Sequence, residues 1–162
     1  MSKTLYDFSV KTIDGKDKSL ADYRGQVVLV VNVASACGYT PQYDGLEKLH
    51  EAYAAKGLRV LGFPSNDFGA QEPASEAEIK TFCETKFGVK FDMFAKVHVK
   101  GEGMAPLYDW LQSGDPKFAG AVAWNFNKFL IGKDGTIVAR FLHKVDPTSA
   151  DVKTAIETAL AG

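Results

Sequence analysis

The sequence predicts an α/β fold: a central mixed β-sheet flanked by helices, with an N-terminal β-hairpin. Three observations predict it. An apolar run from Val27 to Val33 is followed by an amphipathic helix and a second apolar run from Leu58 to Phe63, which makes a βαβ unit. Residues 124–142 read as two strands joined at Lys133-Asp134-Gly135, an antiparallel hairpin. A last amphipathic segment closes the chain as a helix.

The elements follow in order. Residues 5–10 alternate Leu, Phe and Val with polar partners and read as a strand, and Asp14-Gly15 turns it back towards Lys18. Ser19 to Gly25 is a polar connection anchored by Leu20 and Tyr23. Val27 to Val33 is apolar on both faces, as a central strand covered by helices must be. Thr40 is placed to cap and Pro41 to open a helix over 41–56, whose Tyr43, Leu46, Leu49 and Tyr53 share one face before Gly57 ends it. Leu58 to Phe63 is the parallel partner strand, and a long loop follows from Pro64 to Pro73.

Ser75 with Glu78 forms a capping box for a helix to about Lys86, with Ile79, Phe82 and Cys83 on its apolar face. Phe91 to Val99 is expected to be extended, and Pro106 to Gln112 is a short helix with Leu107, Trp110 and Leu111 inward. The hairpin begins at Trp124. Asp146-Pro147 introduces the last helix, with Val152, Ile156 and Leu160 four apart. A parallel unit, an antiparallel hairpin and a closing helix, in that order, form the thioredoxin-like arrangement.

Bulk properties narrow the function. At 162 residues, with 46% hydrophobic and 24% charged residues, the chain is expected to be one globular domain over 1–162. A net charge of −1 gives no basic footprint for nucleic acid. No apolar run approaches the roughly 18 residues of a membrane-spanning helix. The first residues lack the apolar core of a signal peptide, so a cytoplasmic location is expected. Cys37 and Cys83 are too few for a disulfide scaffold, and no Cys or His stands at zinc-ligand spacing. His50, His98 and His143 show no pairing in the sequence.

Cys37 lies just beyond the central strand and just before a helix, where open α/β sheets place ligands and chemistry. A helix N-terminus favours a thiolate. On its own, however, a lone cysteine is as compatible with inert packing as with reactivity.

Four segments settle which kind of chain this resembles. Asn32-Val-Ala-Ser-Ala-Cys-Gly38, Leu61-Gly-Phe-Pro-Ser-Asn-Asp-Phe-Gly-Ala-Gln-Glu-Pro73, Phe82-Cys83-Glu-Thr-Lys-Phe87 and Trp124-Asn-Phe-Asn-Lys-Phe-Leu130 come in the order and spacing of the glutathione peroxidase family, over about residues 5–160. The resemblance implies a thioredoxin-like fold. It also implies a hydroperoxide-reducing site in which Cys37 is the nucleophile and Gln71, Trp124 and Asn125 are its hydrogen-bonding partners. Three neutral donors are suited to holding a thiolate and the charge that develops on peroxide oxygens.

Cys83 matches the resolving cysteine of the family's thioredoxin-recycled subgroup. The implied cycle is a Cys37 sulfenic acid, a Cys37–Cys83 disulfide, and reduction by thioredoxin, with glutathione as the alternative co-substrate and no bound cofactor. A third reading keeps the same chemistry but passes the oxidation to a partner protein as a peroxide sensor. Because the disulfide needs Cα atoms about 4.4–6.8 Å apart, the helix carrying Cys83 is expected to open.

Two positions and one span depart from the usual pattern. Ser65 replaces a cysteine common among relatives, and Asp67, where Gln is usual, adds a negative charge close to the site. The short span 113–123 lacks the insertion that tetrameric relatives use, which implies a monomer and an open site for bulky or lipid hydroperoxides.

Overall fold

The structure, a computed structural model, describes residues 3–162. Its centre is a five-stranded sheet in the order β5-β4-β3-β6-β7, with a separate N-terminal hairpin of β1 (Ser9–Lys11) and β2 (Asp17–Ser19). The hairpin and mixed sheet match the expected thioredoxin-like arrangement. Strand β3 (Val27–Val33) is wholly buried. It runs parallel to β4 (Leu58–Pro64) from the Val27–Leu58 pair to the Val33–Pro64 pair. It runs antiparallel to β6 (Lys128–Ile131), which in turn pairs with β7 (Ile137–Phe141). The short β5 (Asp92–Met93) completes the other edge.

Alternation along β3 builds two cores, because successive side chains point to opposite faces. Val27, Leu29, Val31 and Val33 pack with Leu46 and Leu49 of α1 (Gln42–Tyr53) and with Val152 and Ile156 of α4 (Ala150–Ala161). Val28 and Val30 pack with Leu5, Leu20 and with Leu107 and Leu111 of α3 (Pro106–Ser113). Helix α2 (Glu76–Phe87) joins the first core through Ile79 and Cys83. Its Ser75–Glu78 capping box forms as the sequence predicts.

Several expectations give way to competing hydrogen-bond partners, some local and some distant. Leu5–Asp7 is a single 3-10 turn, not strand, because the Thr4 N–H finds the Asp7 carboxylate at 2.8 Å. Phe91 to Val99 forms only the two residues of β5. Its backbone turns to other partners, Ala95 N–H to the Lys11 carbonyl and Val97 N–H to the Pro64 carbonyl. The last helix starts at Ala150, since Asp146 spends its carboxylate on the Thr148 N–H and hydroxyl.

The hairpin strand begins at Lys128, not Trp124. Beyond the Val31–Lys128 pair, Phe126 takes a left-handed φ of 68° and its N–H reaches the Asn32 carbonyl at 2.6 Å. A non-glycine residue rarely adopts that conformation. Here it lifts Trp124 and Asn125 off the ladder and over the carboxyl end of β3.

Candidate active site

The segment after β3 forms a hydrogen-bonded turn around Cys37. Thr40, expected to cap the helix, instead donates its hydroxyl to the Ala34 carbonyl at 2.7 Å and accepts the Cys37 N–H at 2.9 Å. Helix α1 then begins at Gln42 without a side-chain cap. Cys37 is 7% exposed, and its Sγ accepts the Tyr39 N–H at 3.3 Å. This turn donates one hydrogen bond straight at the sulfur, in addition to any field from the helix behind it.

Gln71, Trp124 and Asn125 meet beside that turn. The Ala36 N–H donates to the Gln71 carbonyl at 3.0 Å, tying the nucleophile's turn to the 64–73 loop. Asn125, fully buried, donates from Nδ2 to Gln71 Oε1 at 3.2 Å. That bond occupies the acceptor end of the Gln71 amide and leaves its NH2 end for another group. Asn32 donates from Nδ2 to the Trp124 carbonyl at 3.1 Å, and the indole packs on Phe68 with ring centroids 5.7 Å apart. Among the described residues, Tyr39 supplies the one hydrogen bond to the sulfur. The three predicted partners are tied to one another and to the scaffold instead.

The loop itself is shaped for this. Gly69 and Ala70 are both left-handed, with φ of 67° and 51°. A Cβ on Gly69 would stand 3.1 Å from the Trp124 ring and 3.4 Å from the Gln71 side chain. The Asp67 carboxylate is engaged by the 98–99 segment. It accepts from His98 Nδ1 at 2.8 Å and from the Val99 N–H at 2.7 Å. Burial pushes its carboxyl up, but the His98 and Val99 hydrogen bonds outweigh it and hold it below the ordinary value. His98 therefore has a partner that the sequence does not announce.

Cys83 lies 1% exposed in the middle of α2, and both cysteines are free thiols. Burial pushes its thiol up to about 11; Tyr43 pulls it down, and the nearby charges of Glu72 and Glu84 add to the rise. The Tyr43 hydroxyl faces the thiol but has no hydrogen bond of regular geometry. Its ring packs against Phe82 and Phe87 of α2 and edge-on against Phe126, with centroids 6.4, 5.5 and 5.4 Å away. Tyr43 thus links the first turn of α1, the helix of Cys83 and the Trp124–Phe126 turn.

Sequence reasoning missed four residues here. Asn32 was signalled, as the one polar side chain in an apolar strand. Lys128 follows it in kind: fully buried, it donates to the Phe126 carbonyl at 2.8 Å. Ser35 and Glu72 carry no local signal, because their pairing joins two distant segments: the Ser35 hydroxyl donates to Glu72 Oε1. Among the described residues no cluster of His, Cys, Asp and Glu is suited to a metal ion. Nor is any described helix long and apolar enough to cross a membrane.

Comparison with known proteins places the chain. A family model described as glutathione peroxidase matches residues 5–112. The chain is 47% identical over 144 residues to a glutathione peroxidase of Lactococcus lactis, covering 88% of this chain and 92% of that one. It is 44% identical over 161 residues to the hydroperoxy fatty acid reductase gpx1 of Synechocystis, covering 94% and 95%. It is 42% identical over 182 aligned positions to the thioredoxin/glutathione peroxidase BtuE of Escherichia coli, covering 99% and 100%. The crystal structure of Trgpx in apo form superposes with a TM-score of 0.81 at 34% identity, covering 100% of this chain and 98% of that one. A thioredoxin-family thiol:disulfide interchange protein from Chlorobium tepidum shares the fold alone, with a TM-score of 0.70 at 17% identity and coverage of 99% and 97%. With its thiol at the end of the central strand and its relatives alike over nearly their whole length, the chain belongs to the glutathione peroxidase family and is a hydroperoxide-reducing peroxidase.

Proposed function

We propose that the chain is a two-cysteine thiol peroxidase in which Cys37 reduces hydrogen peroxide and organic or lipid hydroperoxides, Cys83 resolves the oxidised thiol, and thioredoxin restores both. The Cys37 thiolate attacks one peroxide oxygen and the O–O bond breaks. The new S–O bond makes Cys37 a sulfenic acid, and the departing alkoxide or hydroxide takes a proton to become the alcohol, or water. Gln71, Trp124 and Asn125 serve this step as neutral donors. The observation that carries the assignment is the Asn125–Gln71 bond, which aims the free NH2 of Gln71 away from Asn125. A donor oriented before the reaction stabilises developing charge without reorganising.

Resolution then joins Cys83 to Cys37 with loss of water, and thioredoxin reduces the disulfide. The two buried thiols support a resolving pair, as does the name thioredoxin/glutathione peroxidase of the Escherichia coli relative. That name also includes glutathione, which remains the second donor. The Synechocystis relative's name favours fatty-acid hydroperoxides among the substrates. The chain is proposed to work as a monomer in the cytoplasm without a bound cofactor.

The test is peroxide consumption coupled to NADPH, run in parallel through thioredoxin with its reductase and glutathione with its reductase. Thioredoxin should support the faster turnover; faster turnover with glutathione reverses the donor. Cys37→Ser should abolish activity. Cys83→Ser should complete one turnover and then stall with thioredoxin. Wild type given one equivalent of peroxide should lose two hydrogens in mass, and no such loss would remove Cys83 from the cycle.

A further inference from the structure

The resolving step needs a base, and one buried carboxylate stands at the junction where the two sulfurs must meet. Cys83 has to lose its proton to attack, yet its thiol is held far above neutral pH by burial. The leaving oxygen on Cys37 has to gain a proton. Both needs arise in the same place, since Cys83 must travel to the turn of Cys37 to react.

Glu72 lies against that turn. It is fully buried, and Oε1 accepts from the hydroxyl of Ser35, two residues before Cys37. The carbonyl of neighbouring Gln71 accepts the Ala36 N–H at 3.0 Å, and the Glu72 N–H donates to Asn66 Oδ1 at 2.8 Å. The second oxygen, Oε2, is buried without a partner, as is the Tyr43 hydroxyl. Leaving a buried carboxylate oxygen unpaired is costly, so its retention invites a functional explanation.

Four groups from separate segments interact with Glu72. Ser35 comes from the β3 turn, Tyr43 from α1, Cys83 from α2, and Lys96 from the segment after β5, its ammonium donating to the Glu72 carbonyl at 3.4 Å. Burial raises the Glu72 carboxyl, while Ser35 and the Lys96 charge lower it. Its ordinary value sits well below neutral, and a rise brings it towards the range where a carboxyl both takes and returns a proton.

We propose that Glu72 is the proton carrier of the resolving step, taking the Cys83 thiol proton as the disulfide forms and handing it to the oxygen that leaves Cys37. The Cys83 sulfur supplies the electron pair of the new S–S bond. The S–O bond of the sulfenic acid breaks with its pair on oxygen, and the proton carried by Glu72 completes a water molecule. Cys37 is reduced relative to the sulfenic acid, Cys83 is oxidised, and Glu72 ends as it began. The inference rests on the assignment of Cys37 and Cys83 as a reacting pair.

A rapid-mixing experiment with one equivalent of hydrogen peroxide tests it. Sulfenic acid and disulfide are quantified separately by acid quench, thiol alkylation and mass, across pH 6 to 8.5. In Glu72→Gln the ratio of the disulfide step to the sulfenate step should fall at least tenfold. Its disulfide step should then rise about tenfold per pH unit, because attack must await spontaneous ionisation of Cys83, whereas the wild-type step stays nearly flat. Glu72→Asp, which keeps a carboxylate, should restore the flat profile.

Both steps falling together, or an unchanged pH slope in Glu72→Gln, would overturn the proposal, since a purely structural role moves both steps alike. A wild type that forms disulfide, paired with a Glu72→Gln protein that forms it equally fast, overturns Glu72 alone. A wild type that forms no disulfide overturns the Cys37–Cys83 pairing and the carrier with it.

Discussion

Asn32, buried in the central strand, donates its side-chain amide to the Trp124 carbonyl at 3.1 Å while its own carbonyl accepts the Phe126 N–H at 2.6 Å. One residue of β3 therefore holds both ends of the turn that carries Asn125. Replacing it with an apolar residue of similar size, Asn32→Leu, leaves the Trp124 carbonyl short of a partner. The expected loss of stability is about 1–3 kcal/mol. Peroxide-driven oxidation of Cys37 should slow by roughly tenfold, since one misplaced hydrogen bond in a preorganised site is worth that or more. Thermal melting and single-turnover oxidation check the two effects separately, and a slower reaction without any change in melting would leave the scaffold role unsupported.

Gly69 is a second point of control over Trp124. An alanine there must hold a φ of 67° with its Cβ 3.1 Å from the indole. The backbone alone makes the change unfavourable by about 1–2 kcal/mol. Gly69→Ala should lower the melting temperature by roughly 2–8 °C, given about 2–4 °C per kcal/mol for a chain of this size. Trp124 fluorescence should shift as the ring is displaced, and an unshifted spectrum with wild-type peroxide kinetics would show that the loop relaxes around the methyl group.

Lys128 predicts a pH dependence of stability. Burial lowers its ammonium to about 7, with Asp146 pulling the other way. In the unfolded chain the value is roughly 10.4. Between those two the unfolded state binds more protons, so stability should rise with pH from about 7 upward. Cys83 acts in the opposite sense. Raised to about 11 by burial, from an unfolded value of roughly 8.5, it contributes stability that fades as pH climbs through that interval. The clean window for Lys128 is therefore about pH 7 to 8.5. Wild-type melting temperature should increase across it, and Lys128→Met, which keeps the buried stem, should flatten the increase. An equal slope in both proteins would assign the effect to other groups.

Helix α2 should open before the sheet does. Only Ile79 and Cys83 of its twelve residues are buried, against all seven residues of β3. Local opening follows the scarcity of buried contacts. Amide exchange in Glu76–Phe87 should run faster than in Val27–Val33, and oxidation by one equivalent of peroxide should accelerate it further. Equal protection in both elements, with turnover intact, would mean that Cys83 reaches Cys37 without local unfolding.

Much of the fold was legible because its causes are local. The βαβ unit, the capping box of α2 and the hairpin turn at Lys133–Gly135 each depend on residues a few positions apart, so periodicity and turn chemistry suffice to find them. The site was legible in a different sense. Its residue types could be matched to a family, but their bonding could not. Gln71, Trp124 and Asn125 were expected around the sulfur; in the folded chain Asn125 binds Gln71, Asn32 holds Trp124, and the Tyr39 N–H meets the thiol. Thr40 illustrates the reason. Its hydroxyl suits a helix cap by sequence, yet the Ala34 carbonyl and Cys37 N–H lie closer and claim it.

The sequence by itself determined the sheet, the helices and the two thiols, since apolar patterning and the identity of the reactive atoms travel with the chain. Only the tertiary structure decided how the thiols are served. The left-handed turn at Phe126, the Asn32 anchor and the burial of Glu72 exist because segments far apart in the chain meet at the end of β3. Buried polar groups must take their partners from whatever packing brings within reach, and that choice is not written in any one segment.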